Sequence, residues 1–199
     1  MTNRIILASG SKTRQELLRN AGVAFEINVA RIDEDAIRQS LEAELATPRD
    51  IADALAEFKA QKISMKEPDA IVIGCDQTLD LNGNTLSKPK SIGEAHDQLR
   101  AMRGQEHTLY SAAVLYENSK PVWRHVGKTQ LRMHDFSDAY LESYVSRNWH
   151  SINHSVGAYK LEEEGSRLFS RIRGDYFVVL GLPLLEVLSY LSKRGMLDK

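Results

Sequence analysis

The spacing of apolar positions changes along the chain, and each change marks an element. Ile5 to Ala8 is a short apolar run that passes directly into Ser9-Gly10-Ser11-Lys12-Thr13-Arg14, then into an amphipathic stretch through Leu17 and Leu18 that stops at Gly22. This pattern predicts strand, tight loop and helix. Phe25 to Val29 reads as a second strand, and Ile32-Asp33-Glu34-Asp35 as an acidic loop or helix start. Thr47-Pro48 opens a helix, with Ile51, Ala54, Leu55 and Phe58 as its apolar face. Ala70 to Cys75 is a continuous apolar run, the mark of a buried strand, and it leads into Asp76-Gln77-Thr78. Asn82-Gly83 between Leu79–Leu81 and Thr85-Leu86 predicts a hairpin with a type I′ turn. Ser91 and Glu94 cap a helix running to about Met102, and Gly104 closes it. Two long strands follow, 108–116 and 122–133, then a helix capped by Ser137 and running to about Val145. Strand-like pieces fill 157–180, and Gly181-Leu182-Pro183 opens a last helix that stops at Gly195. The alternation predicts an α/β fold, a mixed central sheet with flanking helices, and no linker divides it.

Charged residues gather at the predicted element ends: Lys12, Arg14, Asp33, Glu34, Lys59, Asp76, Lys88 and Lys90. Helix N-termini favour anions, and the hydroxyls of Ser9 and Ser11 add donors there. Cations mixed with carboxylates suit a polyphosphate bound with a divalent metal such as Mg²⁺ or Mn²⁺, which takes one or two carboxylates plus phosphate oxygens. Asp76 stands out because open α/β sheets place their sites beyond strand carboxyl ends. Each feature also has a plain reading. The opening segment is equally an ordinary capped helix with solvated cations. Lys59 and Lys62, taken alone, read as a solvated helix face. For Lys88 and Lys90 both readings stay open.

Composition narrows the field. With 199 residues and a net charge of −1, the chain carries no global electrostatic signal for nucleic acid or membrane. No apolar run approaches the ~20 residues of a membrane span, and nothing at the N-terminus reads as a signal peptide. The lone Cys75 excludes an internal disulfide and reads as a small core residue, so a cytoplasmic protein is expected. There is no Gly-x-Ser-x-Gly elbow and no P-loop. Asp76 and Asp80 lie too far apart for the Asp-x-Asp-x-Thr pattern of haloacid-dehalogenase-type phosphatases. His150 and His154 lack the intervening acid of a His-Glu-x-x-His site and read as surface residues.

Six segments in order, from Leu7-Ala8-Ser9-Gly10-Ser11-Lys12-Thr13-Arg14 through Asp33-Glu34, Lys59-Ala60, Gly74-Cys75-Asp76-Gln77 and Lys88-Pro89 to Gly157-Ala158-Tyr159 with Gly181-Leu182-Pro183, resemble the Maf family of nucleotide pyrophosphatases. That family is related in fold to inosine-triphosphate pyrophosphatases. The resemblance implies one domain over 1–199 with two lobes around a central cleft. It implies metal-dependent hydrolysis of a nucleoside triphosphate to monophosphate and pyrophosphate. Carried over, Asp76 is the base and a metal-site acid, and Glu34 the second metal carboxylate. Ser9, Ser11, Lys12, Arg14, Lys59 and Lys88 bind the triphosphate. A homodimer is the oligomer the resemblance suggests.

Thr13 is a departure: the family has Arg there, and its 7-methyl-GTP branch has Trp. Gln77 and Glu162 nevertheless match that branch, and a carboxylate can accept both donors of a guanine edge while repelling the acceptors of uracil and thymine. The expected substrate is therefore a modified guanine nucleotide such as 7-methyl-GTP, removed before polymerases use it. A dTTP or UTP pyrophosphatase is the alternative, and the run Lys160-Leu161-Glu162-Glu163-Glu164 leaves the register of Glu162 open. A non-catalytic nucleotide-binding regulator of cell division, and a phosphomonoesterase, are the readings from other classes.

Overall fold

A computed structural model describes residues 4–197. Its seven-stranded mixed sheet has the order β2-β1-β3-β5-β6-β7, with β4 pairing β3. The strands are β1 (Ile5–Leu7), β2 (Glu26–Ile27), β3 (Ile71–Leu81), β4 (Asn84–Leu86), β5 (Glu106–Glu117), β6 (Lys120–Met133) and β7 (Phe169–Arg173). The helices are α1 (Lys12–Asn20), α2 (Glu34–Ala43), α3 (Pro48–Ser64), α4 (Ile92–Met102), α5 (Asp138–Ile152), α6 (Tyr176–Val179) and α7 (Leu184–Lys193). Among the described residues, no helix is long and apolar enough to cross a membrane.

Local chemistry sets most helix starts. Ser11, Thr47, Ser91 and Ser137 each accept a backbone N–H of the first turn of the helix they precede. Asn82 and Gly83 both have positive φ, 55° and 86°, as the type I′ turn requires. Other expectations shift. The second strand shrinks to two residues. α5 runs on to Ile152, because Trp149 and Ile152 carry the apolar face of Leu141 and Val145 two turns further. Most of 157–168, expected to be strand-like, forms two short 3₁₀ turns instead, leaving β7 as the only strand there.

The largest correction concerns α3 and β3. The buried face of α3 is Ile51, Ala52, Leu55, Ala56, Lys59, Ala60 and Ile63, whereas Phe58 is 43% exposed. The small alanines let α3 lie directly on β3. A Cβ on Gly74 would fall 2.1 Å from the Ala56 carbonyl oxygen and 2.6 Å from the Ala60 nitrogen, so only glycine allows this approach. Lys59 is drawn under the helix by the same packing and is 6% exposed, not solvated. β3 also continues past Asp76, since β5 pairs it residue by residue from Val72 to Asp80. Asp76 is therefore inside a strand rather than at its end.

The sheet still leaves an opening at Asp76. On the edge of β3 away from β5, the parallel pairing with β1 stops at Ile73, and the hairpin partner β4 begins opposite Leu79. Between them, Gly74 to Thr78 has no strand on that side. The carboxyl-end rule thus applies to β1, and Asp76 lies just beyond the end of that strand. Side chains alternate along β3: Val72 packs in the α3 cluster, while Ile71, Ile73 and Cys75 pack with α1 and α7. Asp76 accordingly faces α3 and Gln77 the opposite layer.

The third core cluster joins α4, α5 and the 156–168 turns to β5 and β6. Gly157, at φ 74°, sits so close to Leu79 that a Cβ would come within 2.4 Å of its side chain. Buried His107 hydrogen-bonds the Tyr159 hydroxyl through Nε2 at 2.7 Å, and its Nδ1 is sealed with no partner. Burial pushes the His107 pKa down from 6.5 to about 4, against the small opposing pull of Glu106. Below pH 6.5 the unfolded chain takes up a proton that the folded chain refuses until about pH 4. The stability His107 contributes is therefore full above that window and is lost as pH falls through it. Unfolding titrations at about pH 7 and about pH 4.5 should differ by roughly 2 kcal/mol from this group. A His107→Phe variant should show a correspondingly flatter profile.

Candidate active site

The opening beside β3 forms the floor of a cleft of about 1160 Å³, just above the roughly 300–1,000 Å³ usual for small-molecule sites and ample for a nucleotide. The loop after β1 and the first turn of α1 supply Ser9 to Arg14, and the start of α2 supplies Glu34. Lys59, Asp76 and Gln77 line the floor, and Lys88 comes from the loop after β4. Across the cleft stand the end of α5 and the segment 153–163, including His150, His154 and Glu162. Every site residue predicted from sequence borders this one cleft.

Its centre is an ion-paired triad. Lys59 Nζ lies 2.6 Å from Asp76 Oδ1 and 2.9 Å from Glu34 Oε1. The Lys59 and Asp76 side chains are 8% and 7% exposed, so this pair is almost fully withdrawn from water. Asp33 places Glu34 by capping α2, accepting the Ala36 N–H at 3.0 Å. Burial pushes the Glu34 pKa upward, but Lys59, then Lys88 and Arg14, outweigh it and hold the carboxyl below its ordinary value. Lys88, at the cleft mouth, moves in the opposite sense: partial desolvation and the cations Arg14 and Lys59 lower its pKa, against Glu34 and Asp76.

Arg14 is part of the framework as well as the lining. Its Nε donates to the Gly181 carbonyl at 2.7 Å, and its Nη1 donates to Ser9 Oγ at 3.2 Å and to the Cys75 carbonyl at 3.0 Å. The last of these bonds satisfies a backbone acceptor on the open edge of β3. Gly181, at φ 94°, brings its carbonyl against the guanidinium, where a Cβ would lie 3.2 Å from Nε. The role of Gly181-Leu182-Pro183 is thus to close the cleft behind Arg14. The Ser9 hydroxyl also accepts the Ser11 N–H at 3.3 Å, while the Ser11 hydroxyl is committed to the helix cap. The first-turn N–H groups of Lys12 and Thr13 have no acceptor within α1, and both residues line the cleft, Lys12 exposed. Cys75 is a buried core thiol whose pKa rises to about 11, chiefly through desolvation.

On the far wall, Glu162 and Glu163 both line the cleft, and the three successive glutamates differ in their partners. Glu164 accepts from Arg147 and Asn148, and Glu163 from Ser151 and Lys160. Glu162 is exposed, lines the cleft and enters no hydrogen bond or ion pair among the described residues. The Gln77 amide nitrogen is held by Ser111 and by the Val178 and Val179 carbonyls, each at 3.0 Å, so its oxygen is the group left for other partners. His150 and His154 are exposed, as expected, but they border the cleft. Arg38 and Lys160, which also line it, were missed: nothing in their sequence neighbourhood distinguishes them from other surface cations.

Among the described residues no group of three or more His, Cys, Asp and Glu is arranged to hold a metal. The donor set nonetheless fits a hard divalent cation. Glu34 and Asp76 each use one oxygen on Lys59 and keep the other without a protein partner, and such an ion completes its shell with phosphate oxygens and water.

A family model described as "Maf-like protein" matches residues 4–194. The chain is 63% identical over 199 residues, all of both chains, to a protein of Roseobacter denitrificans named nucleoside triphosphate pyrophosphatase. It is 46% identical over 194 residues, 98% of each, to a Rhizobium meliloti protein named 7-methyl-GTP pyrophosphatase. The solved structure of a HAM1 protein from Coxiella burnetii matches with a TM-score of 0.51 at 15% identity, covering 96% of this chain and 98% of that one, and shares the fold.

Proposed function

The chain belongs to the Maf family, and from that premise we propose the reaction its cleft performs: it is a nucleoside triphosphate pyrophosphatase that splits the bond between the α- and β-phosphates, acting as one domain closed around the cleft. The observation that carries this reading is the juxtaposition of an acidic pair, Glu34 and Asp76, with Lys59, Lys88 and Arg14 around one cleft. The triphosphate lies along the cations, with the first-turn N–H groups of α1 and the Ser9 hydroxyl as further donors. Asp76 takes the proton of the attacking water through the oxygen not held by Lys59. Lys59, 2.6 Å from its other oxygen, holds that carboxylate in place. Lys88 and Arg14 stabilise the charge that builds on the departing pyrophosphate. Glu34, with Asp76, would hold a divalent cation, which would supply further charge neutralisation on the phosphate.

For the base, 7-methyl-GTP is the proposed substrate, with dTTP or UTP as the alternative. Relatives at 46% and 43% identity carry the 7-methyl-GTP name, and the unpaired Glu162 carboxylate suits a cationic guanine with two donors on one edge. Thr13 supplies no aromatic face, so selectivity falls to Glu162 and the Gln77 oxygen. The test is to incubate the protein with Mg²⁺ and separately 7-methyl-GTP, GTP, dTTP, UTP, CTP and ITP, measuring pyrophosphate and monophosphate in equal amounts. Release of orthophosphate instead would identify a phosphomonoesterase, and binding without any release a nucleotide-binding regulator. A Glu162→Gln variant should reduce the preference for 7-methyl-GTP over dTTP by roughly 10-fold or more, while leaving dTTP turnover close to its starting value.

A further inference from the structure

We propose that Arg38 is a positioning residue that, with Asp35, clamps the helix carrying Glu34 to the loop carrying Lys88 and so fixes the phosphate end of the cleft. The contact stands on geometry alone, and its consequence for turnover rests on the pyrophosphatase reading above. Arg38 lies one helical turn after Glu34, on the same face of α2. Its Nη1 donates to Ser87 Oγ at 2.7 Å and to Asp35 Oδ1 at 3.2 Å. The other Asp35 oxygen, Oδ2, accepts from Lys90 Nζ at 3.3 Å. Ser87 and Lys90 therefore bracket Lys88 and Pro89, and both are tied to the first turns of α2. Gln98 of α4 donates to the Ser87 carbonyl at 3.0 Å and anchors the same loop from behind.

Two further observations separate this contact from an ordinary surface ion pair. α2 buries none of its residues, so apolar packing does little to fix where Glu34 sits. The Arg38 side chain is only 16% exposed, and its Nε is sealed from water with no partner. A sealed, unsatisfied donor is unfavourable, and a surface helix has no packing need for one. The arrangement is explained if the guanidinium is held inward by what it positions. Displacement of a reacting group by about 1 Å can lower turnover by about 10²-fold, so the spacing of Glu34 and Lys88 matters directly.

The experiment compares Arg38→Ala, Arg38→Lys, Ser87→Ala and the double variant Arg38→Ala/Ser87→Ala with the parent, and uses Arg100→Ala, an exposed arginine, as control. In pyrophosphate release, Arg38→Ala is expected to lower kcat/KM by roughly 10- to 100-fold. Arg38→Lys, which retains one donor toward Ser87, should recover part of that loss, and the double variant should be no worse than Arg38→Ala. The control should match the parent. Unchanged kcat/KM in Arg38→Ala, or losses that multiply in the double variant, would overturn the clamp. Amide hydrogen exchange on the nucleotide-free protein reads it independently of activity. Residues 34–43 and 86–90 should exchange faster together in Arg38→Ala, with the melting temperature held. If the parent hydrolyses no triphosphate, the functional reading fails and the exchange result alone decides the clamp; exchange unchanged in both segments would refute it.

Discussion

Asp76→Asn is expected to abolish pyrophosphate release, lowering kcat by roughly 10³-fold or more, while the protein stays folded. Asparagine keeps the size of the side chain and can still accept from Lys59 through its amide oxygen, so the contact at 2.6 Å has a near-isosteric replacement. The amide cannot take a proton from water, and it cannot supply a negatively charged oxygen to a cation. Binding should survive better than turnover, because Arg14, Lys88 and the first-turn N–H groups of α1 are untouched. The informative measurement is therefore nucleotide affinity beside kcat: a large fall in kcat with binding within a few-fold is the expected pair. Turnover near the parent rate would remove Asp76 from the role of base.

Lys59→Met carries the second large effect, and it acts on stability as well as activity. The ammonium is the shared partner of two carboxylates, and its removal leaves Asp76 buried at 5% exposure with no cation in contact. Breaking one side of a buried pair costs about 3 kcal/mol or more, since the remaining charge keeps its desolvation penalty. The deficit should depend on pH in a defined direction. In the parent, Lys59 is the main force lowering the Glu34 pKa below 4.5. A carboxylate with a depressed folded pKa contributes stability that is full above the unfolded value and is lost as pH falls through the folded one. Parent and variant should thus differ most above about pH 4.5 and converge below it. Chemical denaturation across that range checks the sign. A deficit that grows on acidification would mean that Lys59 does not hold the Glu34 carboxyl below its ordinary pKa.

Local features were legible because they depend on a few adjacent residues. Serine and threonine caps, the Asn82-Gly83 turn and the glycines that end helices act through their own backbone, and the structure places them where the pattern puts them. The composition of the site was legible too, since charged residues at element ends converge once a sheet brings those ends together. Misreadings arose where a residue's surroundings come from distant segments. Phe58 reads as part of the apolar face of α3, and Lys59, taken without the family resemblance that puts it at the triphosphate, as its solvated neighbour. Their roles exchange because Gly74 admits the alanine face of α3, a condition set by a residue ten positions beyond the helix end.

By itself the sequence determined the mixed α/β class, the family, most of the elements and a set of charged residues that all border the cleft. Short-range propensity, capping and periodicity carry that information along the chain. Tertiary structure alone decided that Asp76 sits within a strand beside a gap in the sheet, that Lys59 is buried between two carboxylates, and that Glu162 rather than Glu163 or Glu164 stays unpaired. It also decided that Arg38 reaches across to Ser87. Each of these depends on contacts between residues far apart in sequence, where packing and desolvation, rather than local pattern, select the partner.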